Sequence, residues 1–339
     1  MQNKNVEYLC SMKLFFKAVF LLLLIVLFNA CTIEEARPSK KQHLRIASDC
    51  LTKKDEKLFR NFEKKYKIDV HIVSISADSI QQLLKKDGLT TNIDCILVAS
   101  VYDMASISEA KMLHENSMKV VTKQLSSKYI SVKKDFIGIG YDPYVFLTKN
   151  DTLVKWKNYA DLVSNYQFTS DLSSKTDLYP YYSTVYAKIQ KSGQKQVKKW
   201  MSQFLKNKQA TLNDSLQMNG TNAFFTLYSH YEKNKSTYKH LKKYNLVFPD
   251  QRKAGVYYNM ACFGIVKQAR NYTNAQLFLN YLLIDNVNKR ITHQISIFPV
   301  ITGKQSAFSY QNTRFKKSSV TPIHQSKFYG KIKMLINNI

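Results

Sequence analysis

Reactive or charged side chains follow shortly after two apolar segments of the sequence. Asp49 and Cys50 come after residues 44–47, and Ser100 comes after residues 94–98. A carboxylate and a hydroxyl can bind the polar groups of a ligand, and a free thiol can react or bind a soft metal. A cysteine can equally serve as a small buried hydrophobic residue, so both interpretations of Cys50 stay open. If the two segments are strands of one sheet, these three residues are ligand-binding candidates.

Strands and helices alternate along the first third of the chain. The predicted elements are a strand at 44–47, a helix at 53–66, a strand at 68–72, a helix at 80–84, a strand at 94–98 and a helix carrying Ile107, Met112 and Leu113. This order is typical of an open, mostly parallel α/β sheet. Ligands bind such sheets beyond the carboxyl ends of the strands, where Asp49, Cys50 and Ser100 lie.

The rest of the chain predicts a second lobe. Residues 135–148 form an apolar crossover interrupted by Asp142, and residues 256–266 form a strand region that returns to the first lobe. About 300 residues are more than one compact core usually holds. The predicted divisions are a first lobe at 44–140 plus 256–305, a second lobe at 141–255, and a C-terminal segment at 306–339 with a terminal helix.

The N-terminus carries a predicted secretion signal of the lipoprotein kind. An unbroken apolar run at 18–28 follows a basic region and precedes Ala30 and Cys31. The run falls short of the ~20 residues that a membrane-spanning helix needs, and Cys31 stands where signal cleavage is expected. The predicted segments are a signal peptide at 1–30, with Met12 as the alternative start, and a lipidated tether at 31–43. A periplasmic or other extracytoplasmic location with a lipid anchor at Cys31 follows, and an unlipidated N-terminal anchor is the alternative.

The chain is strongly basic, with a formal net charge of +27. Lysines are spread along it, and no nucleic-acid-binding signature accompanies them. A basic surface near anionic lipid is the simplest explanation, and a field that draws anions into a cleft is the alternative. No nucleic-acid partner is predicted.

Known catalytic and metal-binding motifs are missing from the sequence. It has no Gly-x-Ser-x-Gly, no glycine-rich phosphate loop, no His-Glu-x-x-His and no zinc spacing of cysteines and histidines. Cys50, Cys95 and Cys262 cannot all pair, which excludes a disulfide framework, and the last two are predicted core residues. His71 is predicted to be a surface or edge residue. We therefore predict that the protein is not an enzyme.

Distinctive residue runs occur at the start of the predicted first lobe and between residues 248 and 300. They are Arg-Ile-Ala-Ser at 45–48, Phe-Glu-Lys-Lys-Tyr at 62–66, Ile-Asp-Cys-Ile-Leu-Val at 93–98, Phe-Pro-Asp-Gln at 248–251, Phe-Leu-Asn-Tyr-Leu-Leu at 278–283 and Ile-Phe-Pro-Val at 297–300. Together they resemble the ferric-iron-type (type II) periplasmic solute-binding proteins of ABC transporters. The resemblance spans nearly all of the mature chain. It implies an α/β protein with two lobes that close on a ligand in a hinge cleft, and an ABC permease as partner.

The family's iron ligands are mostly replaced in this sequence. In iron-binding members, a histidine, a glutamate and two adjacent tyrosines hold the ion, and an arginine often holds an accompanying anion. These positions fall on Leu51 for the histidine, Ala99 for the glutamate, Asp142 for the arginine, Tyr144 for a second basic residue, and Tyr228 with Ser229 for the tyrosine pair. Only Tyr228 keeps the family's ligand type.

A partly different set of hard ligands is present. Tyr228 and Tyr231, with His230 between them, could bind a hard cation such as ferric ion, and Asp142 and Asp49 could add carboxylates. The alternative has both tyrosines packed on one helix face. Tyr228 and Tyr231 are the predicted metal ligands.

The resemblance and the residues together predict a receptor that delivers iron or another small solute to an ABC import permease by hinge closure. The predicted ligand-binding residues are Asp49, Cys50, Ser100, Asp142, Tyr144, Tyr228, Tyr231 and Tyr257. No resident cofactor is predicted, and ferric iron is the candidate transported ligand. An organic ligand bound by tyrosine rings competes with iron. The alternative function is a sensor or envelope-interaction lipoprotein that transports nothing.

Overall fold

The computed structural model describes residues 42–87, 92–149, 156–164, 166–210, 223–235, 243–301 and 315–337. The predicted signal peptide, the lipidation site Cys31 and the tether up to residue 41 lie outside the described residues. Within the described ranges, no helix is long and apolar enough to cross a membrane.

Strands and helices alternate through most of the described chain. The strands are β1 (Gln42–Ser48), β2 (Ile68–Ser74), β3 (Cys95–Val98), β4 (Phe136–Lys149), β5 (Phe168–Ser170), β6 (Lys208–Ala210), β7 (Ala223–Leu227), β8 (Tyr244–Val247), β9 (Tyr258–Ile265) and β10 (Phe298–Pro299). The α-helices are α1 (Arg60–Tyr66), α2 (Ala77–Asp87), α3 (Val101–Glu109), α4 (Lys175–Ile189), α5 (Gln194–Asn207), α6 (Tyr228–Asn234), α7 (Tyr272–Leu282), α8 (Asp285–Gln294), α9 (Pro322–Gln325) and α10 (Tyr329–Asn337). Short 3-10 turns, including Lys53–Phe59 before α1, complete the set.

The strands join in the order β2-β1-β3-β9-β4-β7-β5-β6, and β8 and β10 both pair with β4. β1 runs parallel to β3, and β5 runs parallel to β6 and β7. β9 runs antiparallel to β3 and β4. The predicted α/β class with parallel strands is confirmed.

Strand β4 belongs to two parts of the sheet. Residues 136–143 pair with β9, whereas residues 144–149 pair with β7 and β8. Asp142 therefore lies next to the point where β4 changes partners. The strand connects the two lobes, and the lobe boundaries at 141 and 256 stay predictions.

The helix predicted through Met112 and Leu113 is shorter than expected. It ends at Glu109, and Lys111 has a left-handed backbone with φ of 57°. Such a residue cannot continue a right-handed helix. Leu113 instead forms a β-bridge with Val266, so its apolar side chain is buried by the sheet.

Close packing supports the part of the sheet around β1 and β3. Near β1, Phe62 and Phe278 meet edge to face with ring centroids 5.2 Å apart. Cys95 and Cys262 have no exposed surface, which confirms their prediction as core residues. The strand ends that carry the candidate residues are thus held by a close-packed core.

Candidate functional site

Carboxylates from both ends of the sheet interact electrostatically where α3, α4 and α6 begin. We call this group the acidic junction. Its members are Asp49 and Asp103 near β1 and α3, Asp142 on β4, Asp171 after β5, Asp177 on α4, and His230 and Lys233 on α6. In a chain of net charge +27, this local excess of carboxylates is conspicuous.

The end of β1 supplies Asp49 and Cys50. The exposed Asp49 carboxylate accepts a hydrogen bond of 2.8 Å from the backbone N–H of Ala99, which ties the ends of β1 and β3 together. Cys50 lies 3.5 Å from the Ser48 hydroxyl. Burial and the Asp49 charge raise the pKa of the Cys50 thiol, so it stays protonated and is a poor soft-metal ligand.

Ser100 begins α3 and is fully buried. Its hydroxyl accepts a hydrogen bond from the backbone N–H of Tyr102 and donates one of 2.7 Å to the carbonyl of Thr176 on α4. The ring of Tyr102 also meets that of Tyr179, with centroids 4.9 Å apart. Ser100 thus joins the two helices.

Asp103 lies in the first turn of α3 and was not among the predicted site residues. It is 8% exposed, and one oxygen accepts a hydrogen bond of 3.3 Å from Thr176. Its other oxygen, Oδ2, has no hydrogen-bond partner among the described residues. Burial and the charge of Asp49 raise the pKa of Asp103 to about 7.

Asp142 reaches from β4 to the beginning of α6. It accepts a hydrogen bond of 3.0 Å from the backbone N–H of Ser229 and another from the Ser229 hydroxyl. The Asp142 carboxylate therefore provides an acceptor for a free N–H group at the N-terminus of α6, and its negative charge complements the helix dipole. Burial raises the pKa of Asp142 to about 6, against the lowering effects of Ser229 and His230.

His230 pairs with Asp171 at 2.9 Å, and Asp171 also accepts a hydrogen bond of 3.0 Å from Thr226. Burial alone would lower the pKa of His230, but the hydrogen bond and charge of Asp171 raise it to about 9. The imidazole is therefore charged near neutral pH. The second oxygen of Asp171, Oδ1, is buried and without a hydrogen-bond partner in the described part of the chain.

Tyr228 and Tyr231 lie on α6 with ring centroids 6.3 Å apart. The Tyr228 hydroxyl donates a hydrogen bond of 2.5 Å to Glu232, and its ring contacts Phe298. Burial raises the pKa of Tyr231. Both tyrosines share the short helix that carries His230, and their role as metal ligands stays a prediction.

Tyr144 and Tyr257 belong to what we call the aromatic cluster, which also contains Tyr159, Tyr181 and Phe225. Tyr257 stacks on Tyr159 with centroids 4.2 Å apart, and the Lys188 ammonium lies 4.4 Å from the Tyr257 ring centre. Tyr144 is fully buried, and its hydroxyl donates to the backbone carbonyl of Asp177. These contacts engage both tyrosines in packing, and their predicted contact with a ligand is untested.

The sequence of residues 57–316 matches the family model described as bacterial extracellular solute-binding protein. The chain belongs to this family. The match covers most of the chain, including every residue of the acidic junction except Asp49. A search of curated proteins finds no match to this solute-binding protein.

Several solved structures of the same fold have iron in their names. A Trichodesmium protein (IdiA, FutA), solved with iron and citrate ligands, is 20% identical with a TM-score of 0.77, covering 87% of this chain and 98% of its own. Ferric iron-binding protein A of Mannheimia haemolytica, in an open conformation, is 19% identical with a TM-score of 0.75, covering 88% and 98%. Iron-bound HitA from Pseudomonas aeruginosa is 15% identical with a TM-score of 0.69, covering 88% and 99%.

These similarities confirm the predicted two-lobe type II binding-protein fold of this solute-binding protein. Its own residues differ from the ligand pattern expected from the resemblance. Leu51, at the predicted histidine position, is buried, and Ala99, which follows β3, has no carboxylate. The carboxylates lie instead at Asp103 and Asp171. Sequence reasoning missed both because it followed strand ends, whereas Asp103 lies inside a helix and Asp171 follows a strand of three residues that was not predicted.

Proposed function

We propose that this solute-binding protein is a lipid-anchored extracytoplasmic receptor that captures a cationic solute, with ferric iron as the first candidate, and delivers it to an ABC import permease. The acidic junction is the proposed binding site. Family membership supports solute binding, and the iron-binding names of the structural neighbours support the choice of ion. Cys31 is the proposed lipid attachment site.

Two unpartnered carboxylate oxygens carry the proposal. Asp103 Oδ2 and Asp171 Oδ1 are buried and have no hydrogen-bond partner among the described residues. A buried acceptor without a partner costs about 1–3 kcal/mol, and more if it is charged. The two belong to different elements, α3 and the segment after β5, and a cation that bound both in a closed form of the protein would stabilise both sides. Carboxylate oxygens are hard ligands, which suits ferric ion.

Electrostatics favours a cation over an anion at this site. The charges of Asp49, Asp78 and Asp177 all raise the pKa of Asp103, which means that each of them disfavours further negative charge there. An anionic solute would meet the same repulsion, whereas a cation would relieve it. The basic charge elsewhere on the chain then has a separate role, in keeping with a protein that lies near anionic lipid.

Hinge closure is supported by contacts between the helices that begin on either side of the junction. Ser100 and Asp103 on the α3 side both bond to Thr176 on the α4 side. A ligand held by Asp103 and Asp171 would favour an arrangement that keeps these helices in contact, and a permease would recognise that closed form.

Thermal unfolding of the full chain, purified in mild detergent, tests the proposal. Ferric citrate should raise the midpoint, because a ligand at 100 times its Kd stabilises the native state by about 2.7 kcal/mol. Citrate alone, other metal ions and phosphorylated metabolites serve as comparisons. Asp103→Asn should reduce the shift, and Glu109→Gln, which changes an exposed carboxylate at the other end of the same helix, should not. Cooperative unfolding with no shift from any cation would favour the sensor or interaction lipoprotein.

A further inference from the structure

A second group of metal-binding side chains lies on the outer surface of the sheet. His43 is on β1, and Asp69 and His71 are on β2, the strand at the end of the sheet order. Along β2, Ile68, Val70 and Ile72 are buried, so Asp69 and His71 share the opposite face. None of these three residues belongs to the acidic junction.

The three side chains converge. The two imidazole rings have centroids 5.5 Å apart, and Nδ1 of His43 lies 4.0 Å from Oδ2 of Asp69. One ligand atom from each residue lies within 4.8 Å of the other two. Zinc bonds to nitrogen and oxygen measure about 2.0–2.2 Å, so the ligand atoms around one ion lie about 3.3 Å apart. Small rotations of side chains at the surface cover that difference: His43 is half exposed and Asp69 is 26% exposed.

From this geometry we infer that His43, Asp69 and His71 bind one divalent transition-metal ion, Cu²⁺ or Zn²⁺, on the surface of β1 and β2. Two imidazoles and one carboxylate form a donor set that suits these borderline ions, whereas calcium and magnesium prefer oxygen ligands. Three protein ligands leave further coordination positions open to water or another ligand. The site is chemically distinct from the proposed cation site at the acidic junction, where the available ligand atoms are mainly carboxylate oxygens.

The ion would connect two neighbouring strands at the edge of the sheet. Binding requires unprotonated imidazoles, so affinity falls as the pH is lowered. An ion that binds only the folded arrangement also stabilises it by mass action. The bound ion is therefore expected to raise the unfolding midpoint.

Titration of the full chain with CuCl₂ and ZnCl₂ tests the inference, with the protein purified without a histidine tag. One equivalent should bind at this site, and the electron paramagnetic resonance spectrum of the copper form should show coupling to imidazole nitrogen. His43→Ala and His71→Ala should each weaken binding about tenfold or more, since losing even an outer-shell partner costs about 10–100-fold. Asp69→Asn should weaken it less, because an amide oxygen remains.

Two controls separate this site from others. His293→Ala removes an exposed histidine on α8 and should leave the affinity unchanged. The double variant Asp103→Asn/Asp171→Asn alters the acidic junction and should also leave copper binding unchanged, so the inference and the proposed function can fail separately. Wild-type copper affinity in both His43→Ala and His71→Ala, with circular dichroism showing folded protein, would overturn the inference. Loss of the copper signal only in the double junction variant would overturn it as well.

Discussion

The acidic junction and the aromatic cluster touch at one hydrogen bond, from the Tyr144 hydroxyl to the Asp177 carbonyl, and yet they are built in opposite ways. The cluster packs neutral rings against one another with little exposed surface, as at Tyr181 and Phe225, whose centroids are 5.1 Å apart. The junction collects five carboxylates around the imidazole of His230 and the ammonium of Lys233, and it leaves two buried carboxylate oxygens without partners among the described residues. Packing and proposed binding thus fall on different groups of residues: the rings fill the interior, and the carboxylates are the proposed ligand contacts.

The largest expected effect is a loss of stability when a buried ring is removed from the aromatic cluster. Phe225→Ala should lower the free energy of unfolding by about 3–5 kcal/mol, because it removes a fully buried ring from a close-packed site. Urea unfolding measures the change. Tyr166→Ala removes a ring that is 50% exposed and should cost clearly less. Equal costs for the two variants would show that the cluster is not the core of this lobe.

Removing a charge from the acidic junction should weaken cation binding and leave the stability of the unliganded protein largely intact. Asp171→Asn and Asp103→Asn should each weaken cation binding about tenfold or more, equivalent to about 1.4 kcal/mol. Stability without ligand should stay unchanged or rise for Asp103→Asn, since the substitution removes a buried charge that its neighbours repel. Titration calorimetry and urea unfolding of the same samples provide both values. A variant that loses stability but keeps its affinity would contradict the separation of roles.

Binding at the junction should depend on pH. The pKa of Asp103 is raised to about 7 and that of Asp142 to about 6, so both carboxyls become largely protonated as the pH falls from 7.5 to 5.5. A protonated carboxyl offers a cation no charge, so cation affinity should fall as the pH is lowered across this range, and binding within the range should release protons. Calorimetry in buffers of different ionisation enthalpy measures the released protons. Affinity that rises on acidification would contradict a carboxylate site.

His230 gives the stability of the unliganded protein a separate pH dependence. Its pKa in the folded state, about 9, exceeds the ordinary value of 6.5. Its contribution is therefore fully present below pH 6.5 and is lost as the pH rises through 9. The side chain is 32% exposed, so screening limits the effect to about 1–2 kcal/mol. His230→Asn should remove this part of the dependence in thermal unfolding at pH 6, 8 and 9.5, and an unchanged profile would show that the pair with Asp171 is not charged.

The smallest effect is expected at Cys50. Because burial and the Asp49 charge raise the pKa of its thiol, Cys50→Ala should change cation affinity by less than about twofold. Alkylation by iodoacetamide at pH 8 should be much slower in the folded chain than in urea. Rapid alkylation of the folded protein would indicate an available thiolate and return Cys50 to the list of ligand candidates.

Part of this fold could be predicted because its elements follow simple periods. Buried residues alternate along β2, and the apolar segment of β3 stands between polar stretches, so both strands and the residues beyond them were predicted. Asp49, Cys50 and Ser100 became candidates by that reasoning, and their part in ligand binding stays a prediction. The open-sheet rule places such residues together without any knowledge of distant contacts.

The second lobe was harder to predict. Helix α4 contains Pro180 in its interior, which normally breaks a helix because it offers no N–H to the carbonyl four residues earlier; that carbonyl, of Thr176, accepts a hydrogen bond from Ser100 instead. The helix is also buried across most of its middle, so its sequence shows no amphipathic period. Thr176 and Asp177 on this helix and Asp171 before it were missed for that reason. The hydrogen bond from Thr176 to Asp103 joins residues about 70 positions apart, which local patterns do not encode.

The most direct measurement compares cationic and anionic solutes on the wild-type chain and on the double variant Asp103→Asn/Asp171→Asn. Thermal unfolding with ferric citrate, citrate alone and a sugar phosphate at matched concentrations provides the comparison. The proposed site predicts a midpoint shift with ferric citrate only, and its loss in the double variant with cooperative unfolding retained. Stabilisation of the wild type by citrate or the sugar phosphate alone, or an undiminished iron shift in the double variant, would contradict a cation site built on these two carboxylates.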